Sequence, residues 1–464
     1  MDPTMRPEAR EIDDPEGGLH RDRDRTRRTL LRTLYVVALL ALYVNPFVRY
    51  AFLETWNELG PDWIIFYPAA KNLASGNLPY PADWEDKKPN EPAGKGWEDY
   101  VYPPTFARLL SPLTLLGPFW SLKAYLLVCF SLYCLLLFPR YVPRPYGWLE
   151  HSLAVAFFFG WGPLIQDFRH GQTDFIPLFL FAGAWRLLKG EKDSAPIWTG
   201  HRKELTAGLL MGFAASLKLT PVVVLPALLA AKRWRMAAGF LLGAAGLLVL
   251  TGPVTSLYYF TRVLPTMLAD FTGMHDRPAL HLGVASLFEG AARMFGRAGE
   301  WADVSARLGL AAGAILYASL LAFFWRKTDA FRSADLVLSL GFLPPIFAGD
   351  LNHHYVLALL PLMVATRRLV SRWAQAGERM KGERWWKRLP LRLMAVMLVS
   401  LPSFYYWLPV RSLYNFLDDA FGVTLNMQVL FGNLFAFLLV LPVFGPLKEK
   451  PPLPSVPSPF HGEG

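Results

Sequence analysis

From Leu30 onward the chain is a succession of apolar runs parted by short polar breaks. The first, Leu30 to about Phe52, holds roughly 23 residues; at about 1.5 Å each these cover the hydrocarbon core of a bilayer. Further runs lie near 119–138, 150–165, 173–188, 204–217, 220–231, 236–252, 306–325, 334–348, 354–367, 391–408 and 426–444. The pattern predicts an all-α, polytopic membrane protein with about twelve transmembrane helices. Thr105–Leu116 is apolar but too short to span, and Pro112 and Pro118 punctuate it. It reads as a re-entrant or interfacial piece ahead of the helix that begins near Phe119. The runs on either side of Lys218-Leu219-Thr220-Pro221 are short enough to form an outer hairpin. Between the first two runs, Trp63–Ser75 sets Phe66, Ala70, Leu73 and Ala74 on one helical face, with Tyr67, Lys71 and Ser75 elsewhere. That period predicts an amphipathic helix lying on the membrane surface, with Asp62 at its head.

The charges assign sides to this pattern. Basic residues fall in alternate breaks: Arg140 and Arg144; Arg186, Lys189, Lys192, Arg202 and Lys203; Lys232, Arg233 and Arg235; Arg326, Lys327 and Arg332; and many in 367–392. The N-terminal RDRDRTRR at 21–28 belongs with them, so these breaks are expected in the cytoplasm. The break 54–100 is acidic on balance and is expected outside, as is 253–304. Three parts follow: a disordered basic arm (1–29), a multispanning domain (30–446) and a Pro-rich cytoplasmic tail (447–464).

Composition agrees with a membrane protein. The chain is 53% hydrophobic and only 18% charged, with mean hydropathy +0.25. The net charge of +10 belongs to cytoplasmic loops, so it does not argue for nucleic-acid binding. Cys129 and Cys134, the only two cysteines, point to different faces of one helix and cannot bridge. No metal-binding motif and no Gly-rich phosphate loop is present, and no cofactor is expected.

Polar chemistry has its material at the outer face. His170, His275, His281, His353 and His354 fall there, and an ionisable residue at a membrane helix mouth is a functional candidate. Asp62 is the foremost, although its position also permits it to cap the helix that follows. His353 and His354 head a helix, where imidazole and helix N-terminus together suit a phosphate; interfacial histidines bonding to lipid headgroups explain them equally. Lys218, at a helix break, reaches a lipid phosphate or snorkels to the interface. Gln172 and Arg169 suit sugar hydroxyls or phosphate, or simply a solvated turn. Tyr67 and Tyr102 suit sugar stacking, or belong to the aromatic belt.

A set of short motifs then narrows the function. These are Asp62–Tyr80 (DWIIFYPAAKNLASGNLPY), Tyr102-Pro103-Pro104 with Leu109-Leu110-Ser111-Pro112-Leu113, and Gly171-Gln172. Ala214-Ala215-Ser216-Leu217-Lys218-Leu219-Thr220-Pro221 with Lys232-Arg233-Trp234 follows, then His353-His354-Tyr355 with Leu359-Leu360-Pro361-Leu362. In order and spacing the chain resembles glycosyltransferase family 87, multispanning enzymes of the GT-C architecture. It departs from the usual pattern at Asp174, where such sequences often carry Asn, and at Val284-Ala285-Ser286, where an Asn-Gln-Ser triplet is usual.

The resemblance implies a plasma-membrane hexosyltransferase with its active site on the outer face. The donor would be a polyprenyl-phosphate sugar, most often mannose, and the acceptor a lipid or glycan. It implies Asp62 as general base for the acceptor hydroxyl, and cationic groups, His353, His354 and Lys218, for the leaving phosphate. Gln172, Arg169, Tyr67 and Tyr102 would hold substrate. About twelve helices also suit a transporter or lipid flippase, and a polysaccharide ligase or polymerase shares the donor chemistry. No repeat of the first half in the second favours the transporter.

Overall fold

The computed structural model describes residues 26–80, 100–134, 155–189, 197–266, 302–327, 333–348 and 352–369, apart from positions 28, 39, 55 and 367, together with isolated positions elsewhere. Outside the described residues lie most of the expected arm, the tail, most of the loop 367–392, the span 391–408, most of the span 426–444, and Val284-Ala285-Ser286. Every regular element among the described residues is helical.

The first helix, α1 (Thr29–Leu53), is long and apolar enough to cross a membrane. Leu30, Leu31, Leu34, Val37 and Leu40 are exposed along it, as lipid-facing side chains would be. Its far end turns inward: Phe47 is fully buried, packed edge-on to Phe159 and Phe168 at 5.5 and 5.7 Å. The predicted amphipathic helix is α2 (Trp63–Ala74). It buries Trp63, Phe66, Ala69, Ala70 and Leu73, one helical stripe, and leaves Ile64, Lys71 and Asn72 exposed. Ala74, expected on the apolar face, is exposed.

The stretch Pro104–Leu132 divides where the sequence suggested. A short helix α3 (Pro104–Leu110) passes into a 3-10 turn (Ser111–Leu116), and α4 (Gly117–Leu132) then begins. Gly117, at φ +71°, makes the break with a backbone conformation open to glycine. Then come α5 (Gly162–His170) and α6 (Phe175–Lys189). Next are α7 (Ile197–Leu217), a 3-10 turn (Thr220–Val223), α8 (Val224–Ala230), α9 (Trp234–Leu250) and α10 (Pro253–Tyr258). α11 (Ala302–Arg326), α12 (Ser333–Leu340), α13 (Leu343–Ala348) and a 3-10 helix (Asn352–Ala358) follow, and the last runs on as helix to Thr366.

The scaffold's tightest contact is between α7 and α9. A Cβ built on Gly208 or Gly212 would stand 2.1 or 2.0 Å from the Met236 or Phe240 carbonyl oxygen. Gly239 and Gly243 face the Leu205 and Leu209 carbonyls in return, at 2.1 and 2.3 Å. Glycines four apart on both helices let the two backbones touch, which supplies van der Waals packing where lipid leaves no hydrophobic drive between helices. The contacts advance together along both helices, so α7 and α9 run parallel and α8 returns between them.

Three described helices are long and apolar enough to cross a membrane: Thr29–Leu53, Pro104–Leu132 and Arg307–Arg326. A fourth is possible only if Trp234–Leu250 and Pro253–Thr266, bent by 114°, count as one span. Two of the other expected spans differ in length as helices. α6 has 15 residues, about 22 Å at 1.5 Å per residue, less than a bilayer core. Conversely α7 starts at Ile197 rather than near 204, taking Arg202, Lys203 and Glu204 into the helix. Cys129 and Cys134 are both free thiols.

Candidate active site

The turn between α5 and α6 is the centre of the site, and Gly171 ends α5 there. At φ +70° it lets its own N–H reach the Phe168 carbonyl and that of Gln172 reach the Asp167 carbonyl (2.9 Å), closing the helix C-terminus. A Cβ at Gly171 would stand 2.9 Å from Leu122 Cδ1, so its lack of side chain also permits the turn to seat on α4.

The residues after Gly171 are held from several directions. Asp167 accepts the backbone N–H of Asp174 (3.2 Å) and of Phe175 (3.1 Å), fastening the start of α6 to α5. Tyr125, from α4, donates its hydroxyl to the Gln172 carbonyl at 2.8 Å. Tyr102 donates to Gln172 Oε1 at 3.2 Å, and the Thr173 N–H donates to the same oxygen. Lys218, where α7 breaks off, donates to Asp174 Oδ2 at 2.7 Å, with side-chain exposures of 6% and 2%. Its Nζ also stands 5.7 Å from the centre of the Tyr102 ring. Burial, and then the charge of Asp174, push the Asp167 carboxyl well above the usual carboxylate range; Lys218 and the two backbone N–H donors work in the opposite direction.

Asp62 stands beside this cluster. Its backbone N–H donates to the His170 carbonyl at 3.3 Å, and Gly60 lies against the same carbonyl so closely that a Cβ would be 2.4 Å from the oxygen. The next residue, Trp63, stacks on Tyr125 at 5.0 Å and donates its indole N–H to the Pro118 carbonyl at 3.0 Å. Tyr125 therefore joins the Asp62 helix to the Gln172 turn. The Asp62 side chain does not cap α2: its backbone sits at φ −80°, ψ −24°, already helical, and its carboxylate makes no capping bond. Oδ2 lies 3.5 Å from His170 Nδ1, is shielded from solvent, and accepts no hydrogen bond from the described residues.

The remaining predicted residues are placed more loosely. Arg169 is exposed on α5, next to His170. Tyr67 donates its hydroxyl to the Thr114 carbonyl at 3.1 Å, toward the 3-10 turn rather than toward Gln172. His353 and His354 belong to the 3-10 helix Asn352–Ala358, which packs against α5. Trp161, the residue before α5, donates to the Tyr355 carbonyl at 3.3 Å. The side chains of the two histidines lie outside the described residues. Among the described residues no group of three or more His, Cys, Asp or Glu is placed to hold a metal ion.

The model of glycosyltransferase family 87 matches residues 100–343, more than half of the chain. The chain belongs to glycosyltransferase family 87. It is thus a glycosyltransferase, and the transporter reading gives way. No curated protein and no solved structure matches the chain. The matched segment of this glycosyltransferase holds Tyr102, Arg169, Gln172, Asp174 and Lys218, but begins after Asp62 and ends before His353. The fold brings Asp62 onto the matched part, through Gly60 and His170, and brings the backbone of the histidine pair alongside α5.

Sequence reasoning left out three residues that build the site: Asp167, Tyr125 and His170 as a neighbour of Asp62. Asp167 carried one signal, an ionisable residue at the end of an apolar helix. Tyr125 carried none, being one aromatic among many in an apolar run.

Proposed function

We propose that this glycosyltransferase moves a hexose, with mannose the first to test, from a polyprenyl-phosphate donor to a lipid or glycan acceptor at the outer face of the plasma membrane. An acceptor hydroxyl attacks C1 of the sugar, Asp62 takes its proton, and the C1–oxygen bond to the lipid phosphate breaks with inversion. His353, His354 and Lys218 neutralise the leaving phosphate, and Lys218 does so in exchange with Asp174. Gln172, Arg169, Tyr67 and Tyr102 hold the sugar and the acceptor.

One observation carries this reading. Among the described residues the Asp62 side chain, beside the Gln172 turn, neither caps its helix nor accepts a hydrogen bond at Oδ2, and it is 21% exposed. Asp167, by contrast, is fully occupied with the start of α6. The test is transfer of labelled sugar from a polyprenyl-phosphate donor by purified protein in detergent. Asp62→Asn keeps the shape but cannot take a proton, so transfer is expected to fall about 100-fold to 10,000-fold while the donor still binds. Near-normal turnover by Asp62→Asn would remove Asp62 as base, with Asp174 next to be tested, and Asp270 and Asp350, outside the described residues, after it.

A further inference from the structure

The geometry points to His170 as the positioning residue of Asp62, its Nδ1–H holding Oδ2 so that Oδ1 is turned to the acceptor hydroxyl. This rests on Asp62 being the base. Three observations lead there.

The first is that the main chain sets the two residues against each other. The Asp62 N–H donates to the His170 carbonyl, and Gly60 closes on that carbonyl from the same strand of chain. No side chain fits at position 60, so the approach is built into the backbone rather than left to two mobile side chains.

The second is the asymmetry of the carboxylate. Oδ2 is shielded from solvent and has no hydrogen-bond partner among the described residues, while the side chain as a whole keeps 21% of its surface. The solvent-facing oxygen is Oδ1. A shielded carboxylate oxygen without a donor is unfavourable, so a donor within reach of Oδ2 has a physical reason to engage it. Nδ1 of His170 is 3.5 Å away, long for a hydrogen bond, and hydrogen bonds of this kind tighten when substrate closes the site.

The third is what such a contact does. A carboxylate on a freely turning χ2 offers either oxygen in many directions. A donor on one oxygen fixes the plane of the carboxylate and aims the other, and a misplacement of about 1 Å costs on the order of 100-fold in rate. The imidazole is 29% exposed, so it lines the open side of the site rather than the core. His170 also lies two residues before Gln172, and the turn that places the sugar-binding amide therefore places the partner of the base.

The test compares His170→Ala, His170→Asn and His170→Gln, with Asp62→Asn run in parallel, using labelled polyprenyl-phosphate mannose and a lipid acceptor in detergent. An Asn amide nitrogen stands where Nδ1 does, while a Gln amide reaches to the place of Nε2. His170→Ala is expected to lower kcat about 10-fold to 100-fold with the acceptor KM changed less than about threefold. His170→Asn is expected to recover most of the loss and His170→Gln little of it. Unchanged kcat in His170→Ala, or equal recovery by Asn and Gln, would overturn the assignment. If His170→Ala does not fold, the Asn and Gln variants decide it by their ratio alone. Asp62→Asn separates the two claims: activity retained there removes the base itself, whereas activity lost there with His170→Ala unaffected removes only the positioning role.

Discussion

Lys218 and Asp174 form an ion pair that water scarcely reaches. Such a pair adds little net stability, because desolvation offsets attraction, but breaking it leaves a charge stranded. Lys218→Met is expected to destabilise the protein by about 3–5 kcal/mol, seen as a lowered Tm in detergent, whatever Lys218 does in catalysis. The double variant Lys218→Met with Asp174→Asn is expected to recover a large part of that Tm, since neither charge of the pair is left stranded. Transfer measured in the double variant then reports on phosphate contact without the folding loss. A double variant as unstable as the single one would mean that the pair is not the main partner of either charge. The sequence marked Lys218, Gln172 and Tyr102 separately, and the structure joins them through Asp174 and the Tyr102 hydroxyl. It did not reveal Asp167 or His170 in their structural roles, because each depends on how the α5–α6 turn folds back, and hydropathy carries no such information. The capping role open to Asp62 failed for a local reason: an N-cap side chain bonds back from an extended backbone, and Asp62 is already helical.

The tightest helix pair makes a prediction that needs no reference to chemistry. Gly212 lies 2.0 Å, by its missing Cβ, from the Phe240 carbonyl, whereas Gly246 on α9 has nothing within 4 Å. Gly212→Ala is expected to cost about 1–3 kcal/mol by overpacking, and Gly212→Leu to leave little folded protein on size exclusion. Gly246→Leu is expected to be tolerated. If both leucine variants elute alike, the α7–α9 contact is not what holds these helices. The glycine spacing stands in the sequence at 208–212 and 239–243, but small residues in an apolar run carry no hydropathy signal of their own. Helix limits are blurred in the sequence for a related reason. Hydropathy marks where the chain enters hydrocarbon, whereas a helix continues as long as its backbone bonds do, so α7 carries Arg202, Lys203 and Glu204 in its first turns. The break at Lys218 was legible because proline and lysine both interrupt the pattern there.

Among the described residues, a cluster of charged side chains at the starts of α7 and α9 lies at one end of α7 and the candidate site at the other. Arg233 pairs with Glu204 at 3.6 Å, and Lys232 stands 4.8 Å over the Trp325 ring, so the starts of α7 and α9 meet the end of α11. Lys218 and Asp174 lie at the opposite end of α7, beside Gln172 and Asp62. Helix order alone does not say which end faces the cytoplasm; in the orientation proposed above, the end rich in Lys and Arg is the cytoplasmic one, because positive loops are retained on that side. In that proposed orientation a donor with its sugar on the outer leaflet would meet Asp62 without crossing the membrane again. The measurement is labelling of single cysteines, with Cys129 and Cys134 replaced by Ala, at the exposed positions Asn77→Cys and Lys327→Cys. A membrane-impermeant maleimide is expected to label position 77 in intact cells, and position 327 only after permeabilisation. Labelling of both positions from the same side would place the site and the basic end on one face, and with it the outward-facing donor would have to be abandoned.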